Sequence, residues 1–355
     1  MSPVAPGKED SMATAMAAAR KDQCDMRAMR PGDLDSVAAL DARIGGRPRR
    51  AYFVRRLEAA LARPEQHVQL TAEDAGGGFV GFCLYRIETG AFGACGRTAA
   101  LETIGVVPEA RGRGIGGALV ARARAILRAK GIRTEATRAE WRNHRLLAFL
   151  DRAGFELAPR QVISFDLRAR REPEPEADPA AMAAAGIQAE PQELDFGRPI
   201  PDAPGGAARD RIPIRSMIAD DFPAVLRIDR NGMGRERGSY IRTMMAEALE
   251  RSGVRVSLVA EIDRMPVGFV MARVEYGEFG RTEPAAVVDT IGVDPDFRRS
   301  GVASALLSQL LVNLGGLGIE RVETEVAREQ FDLLGLFYRW GFGPSQRLAF
   351  VRAPV

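Results

Sequence analysis

The sequence predicts an α+β protein made of two tandem copies of one domain, each a mixed, mostly antiparallel sheet flanked by helices around a central strand–turn–helix unit. Three observations predict it. The chain has 355 residues, a length that suits about two domains of roughly 150 residues each. Its two halves repeat one another over a long ungapped stretch. Within each half, helical and strand periodicities follow in the same order.

The repeat fixes the boundaries of everything else. Arg86 to Phe155 lies on Arg273 to Phe342 at a constant offset of 187. Arg86-Ile87-Glu88-Thr89-Gly90-Ala91-Phe92-Gly93 matches Arg273-Val274-Glu275-Tyr276-Gly277-Glu278-Phe279-Gly280, and Thr103-Ile104-Gly105-Val106 matches Thr290-Ile291-Gly292-Val293. Gly154-Phe155 matches Gly341-Phe342. Upstream an offset of 188 pairs Asp33 with Asp221, Asp41 with Asp229 and Tyr52 with Tyr240. Chance does not hold a register this long, so the chain is a duplicated domain. The copies occupy residues 25–168 and 211–355. Residues 1–24 read as a disordered tail. Residues 169–210, rich in Pro, Ala, Glu and Gly without apolar periodicity, read as a flexible linker. These boundaries predict that proteolysis in the linker leaves two compact fragments.

In copy one, residues 32–43 and 50–62 carry helical apolar spacing. His67–Thr71 and Phe79–Arg86 read as strands joined through the turn-prone Asp74-Ala75-Gly76-Gly77-Gly78. A further strand is expected over 99–107, a helix over 115–129, a strand over 132–137 and a helix over 143–152 that Gly154 stops. A strand over 162–167 closes the copy. Copy two repeats the order and ends on Leu348–Val351.

Composition narrows the function classes. Fifty basic and 47 acidic residues leave a net charge of +3, which gives no global basic surface and argues against nucleic acid as a partner. Lysine occurs only at Lys8, Lys21 and Lys130, as a GC-rich coding bias would leave it. Cys24, Cys83 and Cys95 form no metal-ligand spacing, and His67 and His144 are the only histidines. No metal site is therefore expected, and a reducing compartment is the default. No apolar run reaches the roughly 20 residues of a membrane span. The weakly apolar Met12–Ala19 is a poor secretory leader behind Glu9 and Asp10. A cytoplasmic protein without a membrane partner is expected.

The chemistry-bearing motif is the centre of each copy. An apolar strand, Leu101-Glu102-Thr103-Ile104-Gly105-Val106, runs through Pro108 into Arg111-Gly112-Arg113-Gly114-Ile115-Gly116-Gly117 and then an apolar helix. Glycines at a helix start let backbone N–H groups approach a phosphate, and the helix dipole is positive at that end. Gly112, Gly114 and Gly117 also satisfy the dinucleotide pattern GxGxxG, with Glu135 near the place of a ribose-binding acid. Copy two separates the readings. Its turn, Arg298-Arg299-Ser300-Gly301-Val302-Ala303-Ser304, has lost GxGxxG but keeps Arg298, Gly301 and the small Ala303, and it has Val322 opposite Glu135.

Strand, Pro and Arg-x-x-Gly-x-Gly/Ala opening a helix resemble the cofactor motif of the GNAT superfamily of acetyl-CoA-dependent N-acyltransferases. Asn143, Leu147, Phe149, Leu150 and Ala153-Gly154-Phe155 resemble its later motif. The resemblance covers nearly all of 26–168 and 213–352. It implies acetyl-CoA as co-substrate and an amine-bearing acceptor, a small molecule or a protein. It also implies that the key strand splays from its neighbour so that the pantetheine arm pairs with backbone at Ile104 and Val106, or at Ile291 and Val293. The pyrophosphate would lie on the amides of Gly112–Gly117, or of Arg299–Ser304, with Arg111 and Arg298 as further cofactor-binding residues. Asn143 matches a side chain that often contacts the cofactor arm; copy two has Gln330 there. With four glycines in its turn, copy one is expected to be the tighter site.

Attack of an amine on a thioester needs the neutral amine, which for a lysine-like group costs roughly 4–5 kcal/mol at pH 7. A general base is thus useful. Period-two alternation places Glu102 on one face with Ile104 and Val106, and Asp289 with Ile291 and Val293, so Glu102 and Asp289 are the candidate bases. The alternative for each is a solvated or helix-paired carboxylate. The family often has a Tyr four residues before the Gly of Gly-Phe, where this chain has Leu150 and Phe337; Tyr338, one residue later, is the candidate acid. The missing Tyr keeps a second reading open, a non-catalytic acyl-CoA-binding protein. A nicotinamide-dependent oxidoreductase is the remote third.

Overall fold

A computed structural model describes residues 24–89, 96–168, 212–234, 236–246, 248–249, 256–276 and 284–353. Residues 1–23 and the linker 169–210 lie outside the described residues, as do Gly90–Gly93 and Gly277–Gly280 of the repeat. Copy one runs β1 (Asp25–Ala28), α1 (Leu34–Gly45), α2 (Arg50–Ala62), β2 (His67–Glu73), β3 (Phe79–Thr89), β4 (Arg97–Val106), α3 (Ile115–Ala129), β5 (Thr134–Glu140), α4 (His144–Arg152), β6 (Glu156–Leu157) and β7 (Arg160–Asp166). Copy two runs β8 (Ile214–Ser216), α5 (Phe222–Met233), α6 (Gly238–Ala246), β9 (Leu258–Ile262), β10 (Met265–Tyr276), β11 (Pro284–Val293), α7 (Val302–Gly316), β12 (Arg321–Ala327), α8 (Phe331–Arg339), β13 (Gly343–Pro344) and β14 (Arg347–Arg352). The expected helices and strands are present. The short edge strands β1, β6, β8 and β13 are additions that no periodicity announces in so few residues.

Each copy builds a mixed sheet with helices on both faces. Under α3, the core of copy one gathers Leu101, Leu119, Leu127 and Leu150; on the other face Phe82 and Leu84 meet Val37, Leu40 and Phe53 of α1 and α2. Copy two repeats this with separate clusters below α7 and below α5 and α6. The repeated aspartates have repeated partners. The Arg49 Nε donates to Asp41 at 2.8 Å and the Arg237 Nε to Asp229 at 3.1 Å, both pairs buried. Arg27 Nη2 and Arg215 Nη2 each sit 2.7 Å from Asp33 and Asp221.

The closing strands depart from expectation. A strand forms at 160–166, but it does not close its own copy. The sheet orders are β1-β2-β3-β4-β5-β14-β6 and β13-β7-β12-β11-β10-β9-β8, so β7 and β14 are exchanged between copies. The exchange is pseudo-symmetric. Ala158 N–H donates to Ala349 O and Ser345 N–H to Val162 O, each at 2.9 Å. Trp141 N–H donates to Gln346 O at 3.0 Å and Arg328 N–H to Pro159 O at 3.2 Å. Arg138 and Glu325, which occupy equivalent positions, pair with each other at 2.8 Å. Ile163 and Phe165 of copy one are thereby buried in the core of copy two. Four antiparallel ladders, β7 with β12 and β13 and β14 with β5 and β6, therefore join the halves in addition to the linker, and each half lacks the strand that completes its sheet.

Candidate functional site

The site is positioned by a parting of parallel strands. β4 and β5 pair through Thr98–Ala100 and Thr134–Ala136 and then diverge. β11 and β12 do the same after Val287 and Glu323. Where the ladder stops, a threonine hydroxyl replaces the backbone donor. Thr137 Oγ1 donates to Leu101 O and Thr324 Oγ1 to Val288 O, both at 2.9 Å. Buried carbonyls at the parting are thus satisfied without a strand partner.

A bulge sits at this point. In the β3–β4 ladder Leu84 faces Thr103 and Tyr85 faces Leu101, leaving Glu102 extra; in β10–β11, Met271 faces Thr290 and Ala272 faces Val288, leaving Asp289 extra. An extra residue breaks period-two alternation, and this corrects the expected face. Leu101, Ile104 and Val106 pack toward the α3 core. Glu102 instead turns to the α1–α2 face, where its Oε1 accepts from Arg86 Nε at 2.9 Å and lies 2.8 Å from Arg56 Nη2 of α2. Asp289 is likewise paired with Arg273, on the face where the Tyr240 hydroxyl of α6 donates to the Asp289 carbonyl at 3.2 Å. Neither acid shares a face with the apolar positions two residues on.

Past the parting, a cleft of about 1310 Å³ opens in copy one. It reaches both faces of the sheet. Its walls are Asp41–Gly45 at the end of α1 (Ala42 excepted), Thr103 to Val106, the turn including Arg111, Gly112, Gly114, Ile115, Gly116 and Gly117, and, from α4 and its ends, Asn143–Leu146, Ala148, Phe149, Arg152 and Ala153. Gly105 narrows the strand where the two faces meet, since a Cβ there would lie 2.6 Å from the Phe82 ring; Gly292 against Phe269 is its counterpart. The α1 end and, on the α4 face that also carries Phe149 of the later motif, Arg145 and Arg152 were not anticipated. The signal in α4 was its spacing, which puts these three on one helical stripe.

The turn fits a pyrophosphate. Gly112 and Gly114 have φ of +80° and +78°, and a Cβ at either, or at Gly117, would meet nothing within 4 Å. The space is open, and α3 begins at once with unpartnered amides. Side chains in the turn divide their work. Ile115 is buried in the core, so only its backbone faces the cradle. Arg111 Nε donates to Val106 O at 3.2 Å, fastening turn to strand. Arg113 is exposed. Asn143 caps α4 by accepting from Leu146 N–H at 3.1 Å.

Copy two has the same backbone with poorer residues for it. Gly301 keeps a φ of +90°, but Arg299, at the place of Gly112, is left-handed at +63°, a conformation that costs a non-glycine residue about 1–2 kcal/mol. Ser300 is not available as a donor to a ligand in this arrangement, because its hydroxyl donates to Phe297 O at 2.6 Å. Arg298 reaches Gly232 O at 3.5 Å, Val302 is in the core, and Ala303 and Ser304 are part-exposed on α7. Ile291 and Val293 line the α7 core as Ile104 and Val106 do the α3 core. Gln330 makes no side-chain cap for α8. Leu150 and Phe337, at the family's tyrosine position, are both buried in the cores, while Tyr338 is 42% exposed on α8.

Glu135 is committed elsewhere. It is buried and receives the Tyr85 hydroxyl at 2.9 Å, Arg124 Nε at 2.6 Å and Arg352 Nη1 at 3.3 Å, so it is not free to bind a ribose. Burial and the neighbouring carboxylate push the Tyr85 phenol well above its ordinary value. Burial, with Arg56 and Arg86 close by, pushes His67 down to about 3, so it is neutral at ordinary pH. Burial likewise pushes the Cys83 thiol up to about 12. No helix among the described residues is long and apolar enough to cross a membrane.

Strand parting, bulge and glycine turn, twice over, define an acyltransferase-type fold. The model of the acetyltransferase (GNAT) family matches residues 34–155 and 222–342. The chain belongs to that family, and it does so with both copies. Solved structures agree at the level of fold. A tandem GNAT protein from the clavulanic acid biosynthesis pathway superposes with a TM-score of 0.57 at 18% identity, over 93% of this chain and 98% of that one. A GCN5-related N-acetyltransferase from Sphaerobacter thermophilus gives 0.56 at 16%, over 94% and 97%. A glucosamine N-acetyltransferase region of a fungal multi-domain GH3 β-N-acetylglucosaminidase gives 0.61 at 15%, over 93% of this chain but only 38% of that longer one.

Proposed function

We propose that the protein is an N-acetyltransferase that transfers an acetyl group from acetyl-CoA to a primary amine, with the copy-one cleft as its principal site. The observation that carries this reading is that one cleft opens on both faces of the sheet, with the glycine turn at one mouth and the end of α1 at the other. The cofactor, whose thioester supplies the activated acyl carbon, suits the turn side: amides of Gly112 to Gly117 hold the pyrophosphate, and the backbone at Ile104 and Val106 orients the arm. The amine then enters from the α1 side. Its nitrogen attacks the acyl carbon, the C–S bond breaks, and the proton lost by nitrogen is taken up on the protein side while the thiolate is protonated from solvent.

Glu102 in copy one and Asp289 in copy two lie on that face of the sheet, Glu102 buried behind the cleft wall that Asp41 lines. In this reading they act with their arginines, through water, because guanidinium groups already occupy carboxylate oxygens. Tyr338, exposed on α8, serves only copy two. The buried Leu150 favours one other reading for copy one, acyl-CoA binding without turnover.

Calorimetry with acetyl-CoA, followed by thiol release in the presence of mixed amines, tests both. Binding with thiol release that is lost in Gly114→Glu supports the transferase. Binding without release on any amine supports the second reading, and unchanged binding in Gly114→Glu overturns the site.

A further inference from the structure

The exchanged strands carry different labels at the same structural position. In β14, Arg352 lies opposite Glu135 of β5; in β7, the equivalent Phe165 lies opposite Val322 of β12. The surroundings match in kind. Glu135 sits with Tyr85 and Arg124, whose counterparts in copy two, Ala272 and Leu311, join Val322, Phe165 and Phe342 in one apolar cluster. Glu135, Val322 and Phe165 are all buried, at 3%, 0% and 5% exposure.

We infer that these pairs, with Arg138–Glu325, form a pairing code that directs each closing strand to the other copy and makes the halves recognise only unlike partners. If β14 lay in its own sheet, Arg352 would face Val322 and Phe165 would face Glu135. A part-buried arginine would then lie against apolar side chains without its carboxylate, and Glu135 would lose one of its cations, each a costly mismatch. The same mismatches arise if copy one met a second copy one, or copy two a second copy two. Arg138 and Glu325 add a charge rule. They lie at equivalent positions and pair across the two sheets, so a like-with-like assembly would set Arg against Arg or Glu against Glu. A symmetric dimer of identical domains cannot satisfy either rule; a duplicated chain can. The partner that fits this surface is the other half of the same chain.

The test uses the full chain carrying a specific protease site within residues 169–210, cut after folding and then unfolded in urea, refolded and weighed by native mass spectrometry. The wild type is expected to return as a 1:1 complex of unlike halves. A variant that erases both distinctions, Glu135→Val, Arg352→Phe, Arg138→Gln and Glu325→Gln, is expected to scramble, with like-with-like dimers approaching the statistical mixture. Phe165→Arg with Arg352→Phe, which misdirects both strands, is expected to abolish the 1:1 complex. Like-with-like dimers or separate halves from the refolded wild type would overturn the inference without recourse to any variant. A scrambling variant that returns only unlike pairs would overturn it as well.

Discussion

Copy one and copy two share a backbone and differ in what fills it. Below the closing strand, copy one holds an ionic cluster around Glu135, and copy two holds Val322, Leu311 and Phe165 in the same place. In the turn that opens α3 or α7, copy one has glycine at a left-handed position where copy two forces Arg299 into that conformation. The shared features, the parting of strands, the threonine bridge and the bulge, are those that make the cleft. The divergent ones lie in the turn and beneath the closing strand.

The largest expected effect breaks the comparison at the closing strands. Phe165→Ala should destabilise the protein by about 3–5 kcal/mol, as loss of a buried aromatic does. The damage should appear as faster amide exchange in β12 and α7 of copy two, though the residue belongs to copy one. Arg352→Ala, its counterpart, should cost less, because Glu135 keeps Arg124 and Tyr85. Urea denaturation of both variants checks the order, and equal losses would remove the distinction between ionic and apolar locks.

The next effect concerns the turns. Gly114→Glu should weaken acetyl-CoA binding by at least about 100-fold, equivalent to about 2.7 kcal/mol, through a side chain and a negative charge in the cradle. Gly301→Glu should change total binding less if copy one is the principal site. Calorimetric titration that finds the reverse would move the main site to copy two.

A smaller reciprocal pair sharpens the same point. Arg299→Gly removes left-handed strain of about 1–2 kcal/mol and should raise affinity in copy two, while Gly112→Arg should lower it in copy one. No change in either would mean that the turn backbone does not limit binding.

The last effect is specific to copy one and concerns pH. His67 titrates near 3 when folded and near 6.5 when unfolded, so between these values the unfolded chain holds a proton that the folded chain lacks. Stability should therefore fall as pH drops from about 6.5, by up to about 1.4 kcal/mol per unit from this group. His67→Gln should flatten that part of the stability curve, as thermal denaturation between pH 7 and pH 5 would show.

What the sequence by itself determined was local and repetitive. Amphipathic spacing set the helices; glycine content set the turn; and a repeat held from Arg86 to Phe155 established that there are two copies, which was enough to reach the family. Alternation failed at Glu102 and Asp289 because a bulge is an event between two strands, and one strand read alone shows no missing partner. The cleft wall at the end of α1 escaped for the same reason, since only packing brings Ile44 against Gly105. The exchange of β7 and β14 was likewise decided only by tertiary structure. A strand's sequence states which face is apolar but not whose sheet it enters. That choice rests on pairs such as Glu135 with Arg352 and Val322 with Phe165, residues far apart in the chain whose complementarity exists only once they are side by side.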